Sequence, residues 1–387
     1  MELNGVILPD RTRLATAMGD ILKGKGGAPL YLSFIGLIIG MYAVATVFII
    51  GHGETINTYS LVPWGLQITT YIYFVLISTG CTFVNFFGHL FYGKRYKFFA
   101  SRVIFLGILT AAAAFISLAT EMGRIDRMYR MFISPNPTSP MFWMSVWYSF
   151  YMVAIVLEYI NIQTKRHSHK VMWGAFLIAI VTHSTLGSLL GAISPRPYFY
   201  SALLPIYFLF IAFLTGCALI TAITGLTVIK KGLNREYYMQ PLVRFLRIGL
   251  GLAFLTGFWR LMIGLAGRVE GAEVFRLTAM NSLVFGIGVA VIIPWFMLKV
   301  SRSAGWLAFT GLFIMLTQLK TRSDLVTGGF KIPVFRAYET PAIIHYAPSI
   351  YEYLILVASV SLVCVLYLVC DKAGLFEIAG EKEVHQS

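Results

Sequence analysis

The chain has 387 residues, 58% hydrophobic and only 12% charged, with a formal net charge of +14 and a mean hydropathy of +0.75. So little polar side chain cannot cover a water-facing surface, which excludes a soluble enzyme; the apolar excess excludes a disordered chain. Most of the Lys and Arg lie outside the apolar runs, as expected for juxtamembrane charge and not for a nucleic-acid surface.

In chain order, a basic arm over residues 1–29 carries Arg11, Arg13, Lys23 and Lys25. Ten apolar stretches follow, at 30–50, 63–91, 101–120, 140–160, 171–194, 198–229, 242–265, 277–298, 304–319 and 350–370. Crossing a bilayer core of ~30 Å takes about 20 residues of helix. The runs are long and do not alternate, so they predict helices and not barrel strands. The seventh opens on Arg244 and Arg247, and the ninth is short. No small-residue cleavage site follows the first, which therefore reads as an uncleaved span and not a signal peptide. The expectation is an all-α integral membrane protein with about ten transmembrane helices. One transmembrane domain covers 30–370, between the arm and a polar tail at 371–387.

Assigned to the nearest loop, 20 of the 31 Lys and Arg fall with the arm, the tail and the loops after spans 2, 4, 6 and 8, and 11 fall on the other side. The positive-inside rule then places both termini in the cytoplasm. The basic inner loops include Lys94-Arg95-Tyr96-Lys97, Lys165-Arg166 and Lys230-Lys231. The outer segments 121–139, 195–202 and 320–349 are longer and rich in Pro and aromatics, which suits a docking surface or a site. Ser134-Pro135-Asn136-Pro137 and Ser194-Pro195-Arg196-Pro197 echo each other before spans 4 and 6, where Pro also serves as ordinary helix punctuation.

Cys81, Cys217, Cys364 and Cys370 are scattered through apolar runs with no C-x-x-C, so neither a disulfide scaffold, a metal site nor an iron–sulfur cluster is expected in this chain. Bis-His haem needs two His at one depth. Only His183 falls near a span's midpoint, and His89 is near the inner end of span 2, so no haem is expected.

Ionisable residues at membrane depth are costly and mark function by default. His183 sits in the polar patch Thr182-His183-Ser184-Thr185. Its imidazole suits proton-coupled chemistry, or simply a hydrogen bond to a neighbouring helix. Glu121 ends span 3 and precedes Arg124, Asp126, Arg127 and Arg130, either a site or an interfacial charge cluster. Arg260, in the outer half of span 7, needs a counter-ion or a polar cavity, with Glu121 one partner by depth. Glu158 at the inner end of span 4 either snorkels to water or opens a proton route. Gln67 and Tyr71 are four apart on one face of span 2, a polar stripe able to hold a carbonyl or hydroxyl headgroup, although interfacial Tyr is also common.

Five stretches together carry a resemblance to a known family. They are Val62-Pro63-Trp64-Gly65 with Tyr71 and Gly80; His89-Leu90-Phe91-Tyr92-Gly93-Lys94-Arg95-Tyr96 leading to Glu121-Met122-Gly123-Arg124; and Ser139-Pro140-Met141-Phe142-Trp143 through Tyr151 to Glu158. The fourth and most specific is His183-Ser184-Thr185-Leu186-Gly187-Ser188-Leu189 with Ser201-Ala202-Leu203-Leu204-Pro205 and Gly216; the last is Arg322 with Tyr346-Ala347-Pro348-Ser349 and Glu352. From about residue 60 to 370 the chain resembles the NrfD/HybB family of polysulfide reductase membrane subunits. Where many relatives place Asp before the Gly-Arg pair, this chain has Glu121 and an intervening Met122. The size, ten-span layout and basic arm look most like the membrane subunits of high-molecular-mass cytochrome c complexes, with the quinone-reductase complexes next.

The resemblance implies two four-helix bundles, here spans 2–5 and 6–9, flanked by spans 1 and 10, in a bacterial inner membrane. It implies a subunit that binds quinone, menaquinone in particular, and holds no metal itself. Its partners would be a ferredoxin-like iron–sulfur subunit, a multihaem cytochrome c or molybdenum subunit, and other membrane subunits. The quinone pocket would lie in the first bundle. Gln67, Tyr71, Glu121, Arg124, His183 and Arg260 are the expected ligand-binding residues, His183 and Glu121 the expected proton partners, and Glu158 with His183 the expected proton route. Two other readings of the same spans are a secondary transporter, for which paired broken helices are not evident, and a passive anchor.

Overall fold

The computed structural model describes residues 11–164, 168–266, 273–334 and 341–376. Lys165, Arg166, the first ten residues and the tail beyond 376 lie outside the described residues, as do the side chains of Arg11, Lys94, Arg95 and Lys97. Among the described residues the fold is helical, with one isolated β-bridge between Tyr59 and Val62. A short helix, Arg11–Asp20, precedes ten long ones. These are α1 (Ala28–Ile50), α2 (Leu66–Tyr92), α3 (Lys94–Glu121), α4 (Pro140–Gln163), α5 (His169–Gly191), α6 (Leu204–Lys231), α7 (Arg235–Ala266), α8 (Glu273–Val300), α9 (Ala304–Gly328) and α10 (Ile350–Lys372).

Pro in the first turn opens α1, α4 and α6, where its missing N–H costs nothing and its fixed φ suits the helix. Ser349 and Glu352 form a capping box at the start of α10. Residues 282–292 of α8 are π-helical, a wider winding that often marks a functional site.

Nine of the ten helices are long and apolar enough to cross a membrane. The tenth, α9, is long enough at 25 residues but carries Gln318, Lys320, Arg322 and Asp324 in its last turns. The apolar run that predicts span 9 stops at 319, yet the helix continues to Gly328, because Gln318 and Arg322 turn inward and are buried. Span 6 begins later than its apolar run. Tyr198 and Phe199 are buried in turns before Leu204, where Phe199 packs with Trp64 and Phe330. Arg196 ties this segment down, donating to the Gly329 carbonyl at 2.9 Å and lying over the Phe330 ring.

Helices α2 to α5 pack as a closed ring of four, and α6 to α9 as a second ring. Helices α1 and α10 pair with each other and lie against α3. The rings meet chiefly along α2 and α6, the two most deeply buried spans. This contact depends on glycine: a Cβ on Gly80 would sit 2.0 Å from the Ala212 carbonyl oxygen, and one on Gly216 would sit 2.2 Å from the Gly80 carbonyl carbon. Glu121, Ala266, Gly328 and the start of α2 share one end of the molecule, its upper end.

Because backbone meets backbone at this seam, no side-chain rotation can make room. Gly216→Leu should destabilise the fold by about 3 kcal/mol or more, the upper range for overpacking. Gly174→Ala, where an added Cβ meets nothing within 4 Å, should be neutral. Apparent melting temperatures in detergent check the pair; a Gly216→Leu protein melting with the parent would refute the seam.

Candidate functional site in the first bundle

The site is built from the head of α2. Glu352 is 1% exposed, and its carboxylate accepts hydrogen bonds from the backbone N–H of Asn57 (3.0 Å), Leu66 (3.2 Å) and Ser349 (3.1 Å), and from the Tyr346 hydroxyl. An anion at a helix N-terminus is favoured by the unpaired N–H groups and the helix dipole. Leu66 N–H also donates to the Tyr346 oxygen at 2.8 Å. Gly65 permits this approach, since a Cβ there would lie 2.3 Å from the Tyr346 hydroxyl. Burial holds the Tyr346 hydroxyl pKa well above its ordinary value, reinforced by Glu352 and by nearby Glu121.

From that fixed start, one polar face runs down α2. Gln67 and Tyr71 are buried, as are Ser78, Thr79, Thr82 and Asn85. Gln67 to Asn85 is 18 residues of helix, ~27 Å, close to the full hydrocarbon thickness. In the upper part the Tyr71 ring lies 6.2 Å from Tyr148 and 6.4 Å from Phe115, and Tyr148 lies 5.8 Å from His183. His183 is fully buried, and its Nδ1 is 2.6 Å from the Thr79 hydroxyl. Lower down, the Tyr151 hydroxyl meets Ser78 at 2.9 Å and Thr82 at 3.1 Å. Asn85 Nδ2 then donates to Glu158 Oε1 at 2.6 Å. Glu158 is 1% exposed, so it does not snorkel to water.

Five buried polar atoms around the upper part have no hydrogen-bond partner: both side-chain amide atoms of Gln67, the Tyr148 hydroxyl, His183 Nε2 and Glu121 Oε2. Each such atom costs about 1–3 kcal/mol unless something binds it. The set mixes donors and acceptors among aromatic walls, which fits a flat ring bearing polar oxygens.

Of the sequence-predicted site residues, the structure gathers Gln67, Tyr71 and His183 in one bundle, with Glu121 at its upper end and Glu158 near its lower end. It does not gather Arg124, which is exposed and bonded to Asp126 at 3.1 and 3.2 Å. That contact lowers the Asp126 pKa and raises that of Arg124. Arg260 belongs to the second bundle, where it donates to the Tyr198 carbonyl and lies over the Tyr198 ring, so the depth match with Glu121 is not a contact. Sequence reasoning missed Tyr148, Thr79 and the clamp formed by Glu352. Tyr148, Tyr151, Ile155 and Glu158 follow 3-4-3 spacing, a readable helical stripe; Thr79 carries no such signal.

Comparison with known proteins agrees with this architecture. The family described as "Polysulphide reductase, NrfD" matches residues 54–331. The chain belongs to the NrfD family. The Hdr-like menaquinol oxidoreductase integral membrane subunit of Archaeoglobus fulgidus is 24% identical, over 92% of this chain and 96% of its own length. A selenate reductase subunit of Mesobacillus selenatarsenatis is 23% identical over the same shares. This NrfD-family chain is a multi-pass membrane protein.

Removing the Glu352 carboxylate leaves three backbone donors and one hydroxyl with a buried partner lost. Glu352→Ala should cost about 3 kcal/mol or more, given ~1.5–3 kcal/mol for each hydrogen bond to a charged group. Glu352→Gln, which keeps an acceptor, should cost less. Thermal melting of both variants checks the order; equal melting of Ala and Gln variants would contradict the clamp.

Proposed function

We propose that this chain is the quinone-reacting membrane subunit of a respiratory redox complex, with its site in the upper half of the first bundle. The observation that carries the reading is the cluster of unpartnered buried atoms on Gln67, Tyr148, His183 and Glu121, continuous with the polar face of α2. The menaquinol named for the Archaeoglobus relative makes menaquinone or menaquinol the ligand of choice.

A quinone supplies two-electron, two-proton chemistry at its paired ring oxygens. Tyr71, Tyr148 and Phe115 wall the ring, and Gln67 Nε2 donates to one oxygen. When the Thr79 hydroxyl donates to His183 Nδ1, the ring proton sits on Nε2 and is offered to the ligand; when Nδ1–H donates to Thr79, Nε2 accepts instead. The two tautomers therefore serve an oxidised and a reduced ligand in turn. Glu121 takes or returns the second proton at the upper end. Tyr151, Ser78, Thr82, Asn85 and Glu158 continue the polar face toward the other side and form the proton route. Arg124 and Arg260 take no part in holding the ligand.

Electrons pass to or from an iron–sulfur partner docked on the upper end, with a multihaem cytochrome c or a further catalytic subunit beyond it. That end faces outward from a bacterial inner membrane, with both termini in the cytoplasm, as the Lys and Arg bias supports.

His183→Leu keeps comparable bulk and removes both ring nitrogens. Quinone-linked turnover of the assembled complex should fall about a hundredfold, the low end for a lost acid–base group, while the partners still co-purify. Glu121→Gln should lower turnover less. An assembled His183→Leu complex with unchanged turnover would remove His183 from the mechanism and move the site toward Gln67 and Tyr71. A cysteine at the exposed position Ser134 should react with a membrane-impermeant maleimide in spheroplasts; reaction only after lysis would invert the orientation and the partner's side.

A further inference from the structure

The second bundle holds a cavity of about 70 Å³ between α7 and α8, closed by α6 and α9. A single water needs only roughly 10–15 Å³. Its polar part is formed by Arg260 and Arg322, each six residues, or ~9 Å, below the upper end of its helix. Arg322 is 1% exposed. Its Nη2 donates to the Tyr207 hydroxyl and lies 3.4 Å from Thr321 Oγ1, and its guanidinium rests on the Tyr207 ring. Its Nε and Nη1 are buried with no acceptor among the described residues, and Arg260 Nε is in the same state. Asp324 lines the cavity but is bonded to Lys320 and partly exposed at the rim. Two guanidiniums thus face a space whose one described carboxylate already has a cation, an arrangement that is costly without an anion.

The cavity also has a direction. Its deeper lining is apolar, with Ala253, Ile287 and Val291. Polar group toward the membrane surface and apolar wall toward the midplane is the order of a phospholipid in the upper leaflet. Guanidinium forks match phosphate oxygens. The α7–α8 wall is lined by the small residues Gly257, Ser282 and Gly286, and a Cβ added at Gly286 meets nothing within 4 Å. The π-helical winding of α8 spans Ser282 and Gly286.

We propose that this crevice binds the phosphodiester of an anionic phospholipid, with Arg322 and Arg260 on the phosphate and an acyl chain along α7 and α8. The site is separate from the first bundle, and the quinone reading of that bundle does not enter the argument. The test is native mass spectrometry of the full chain released from nanodiscs of phosphatidylcholine doped with phosphatidylglycerol. The parent should retain phosphatidylglycerol in preference to phosphatidylcholine. Gly286→Leu fills open space and keeps both arginines; it should melt as the parent does and retain at least tenfold less phosphatidylglycerol. Arg322→Gln should lose the preference as well, and if that variant does not fold, Gly286→Leu still decides. No headgroup preference in the parent, or equal retention by Gly286→Leu, would overturn the proposal. So would a melting temperature raised by inorganic phosphate at matched ionic strength with no response to phosphatidylglycerol, which would make the occupant a free anion.

Discussion

The carboxylate of Glu352 at the head of α2 is the interaction on which the first bundle depends. It joins the segment before α2, the start of α2 itself and the start of α10 through one buried anion. A helix gripped at its first residue has its rotation and depth set together. Every later position on that face, from Gln67 through Thr79 to Asn85, inherits its direction from that grip. The polar face then points at α4 and α5, where Tyr148, Tyr151, Glu158 and His183 meet it.

Most of the architecture could be read in the chain because the bilayer imposes a length and a polarity on each span. Ten apolar runs became ten long helices, and the family resemblance supplied their grouping into two rings. Boundaries failed where side chains turn into the protein whatever their polarity: α9 continues past the end of its apolar run because Gln318 and Arg322 are buried, and α6 starts late because Tyr198 and Phe199 are buried in turns. Depth along a helix could be counted, so His183 and Glu158 stood out. Which bundle a residue joins could not be counted, and Arg260 and Glu121, paired by depth in the sequence, lie in different rings, with Arg260 about 9 Å below the end that Glu121 occupies. Thr79 shows the other limit. It matters only through the imidazole it meets from a helix 104 positions away in sequence.

The two bundles use the same physics with opposite chemistry. At the candidate site of the first, the unpaired buried groups are neutral or acidic and mix donors with acceptors. In the second, they are guanidinium nitrogens that can only donate. A low-dielectric interior sharpens this contrast, since charges attract or repel more strongly there than in water. The two proposed sites therefore call for different ligands on either side of the wall formed by α2 and α6.

That shared wall has a mechanical meaning. Gly80 and Gly216 bring two backbones together with no side chains between them to slide or re-pack. Carriers that expose a site alternately to each side do so by rocking one half against the other. Such a hinge needs an interface with two stable packings, and a seam of main chain against main chain offers only one. The molecule is better suited to act as a strut, with its two halves locked, so that whatever crosses the membrane through it must be small enough to hop between fixed groups.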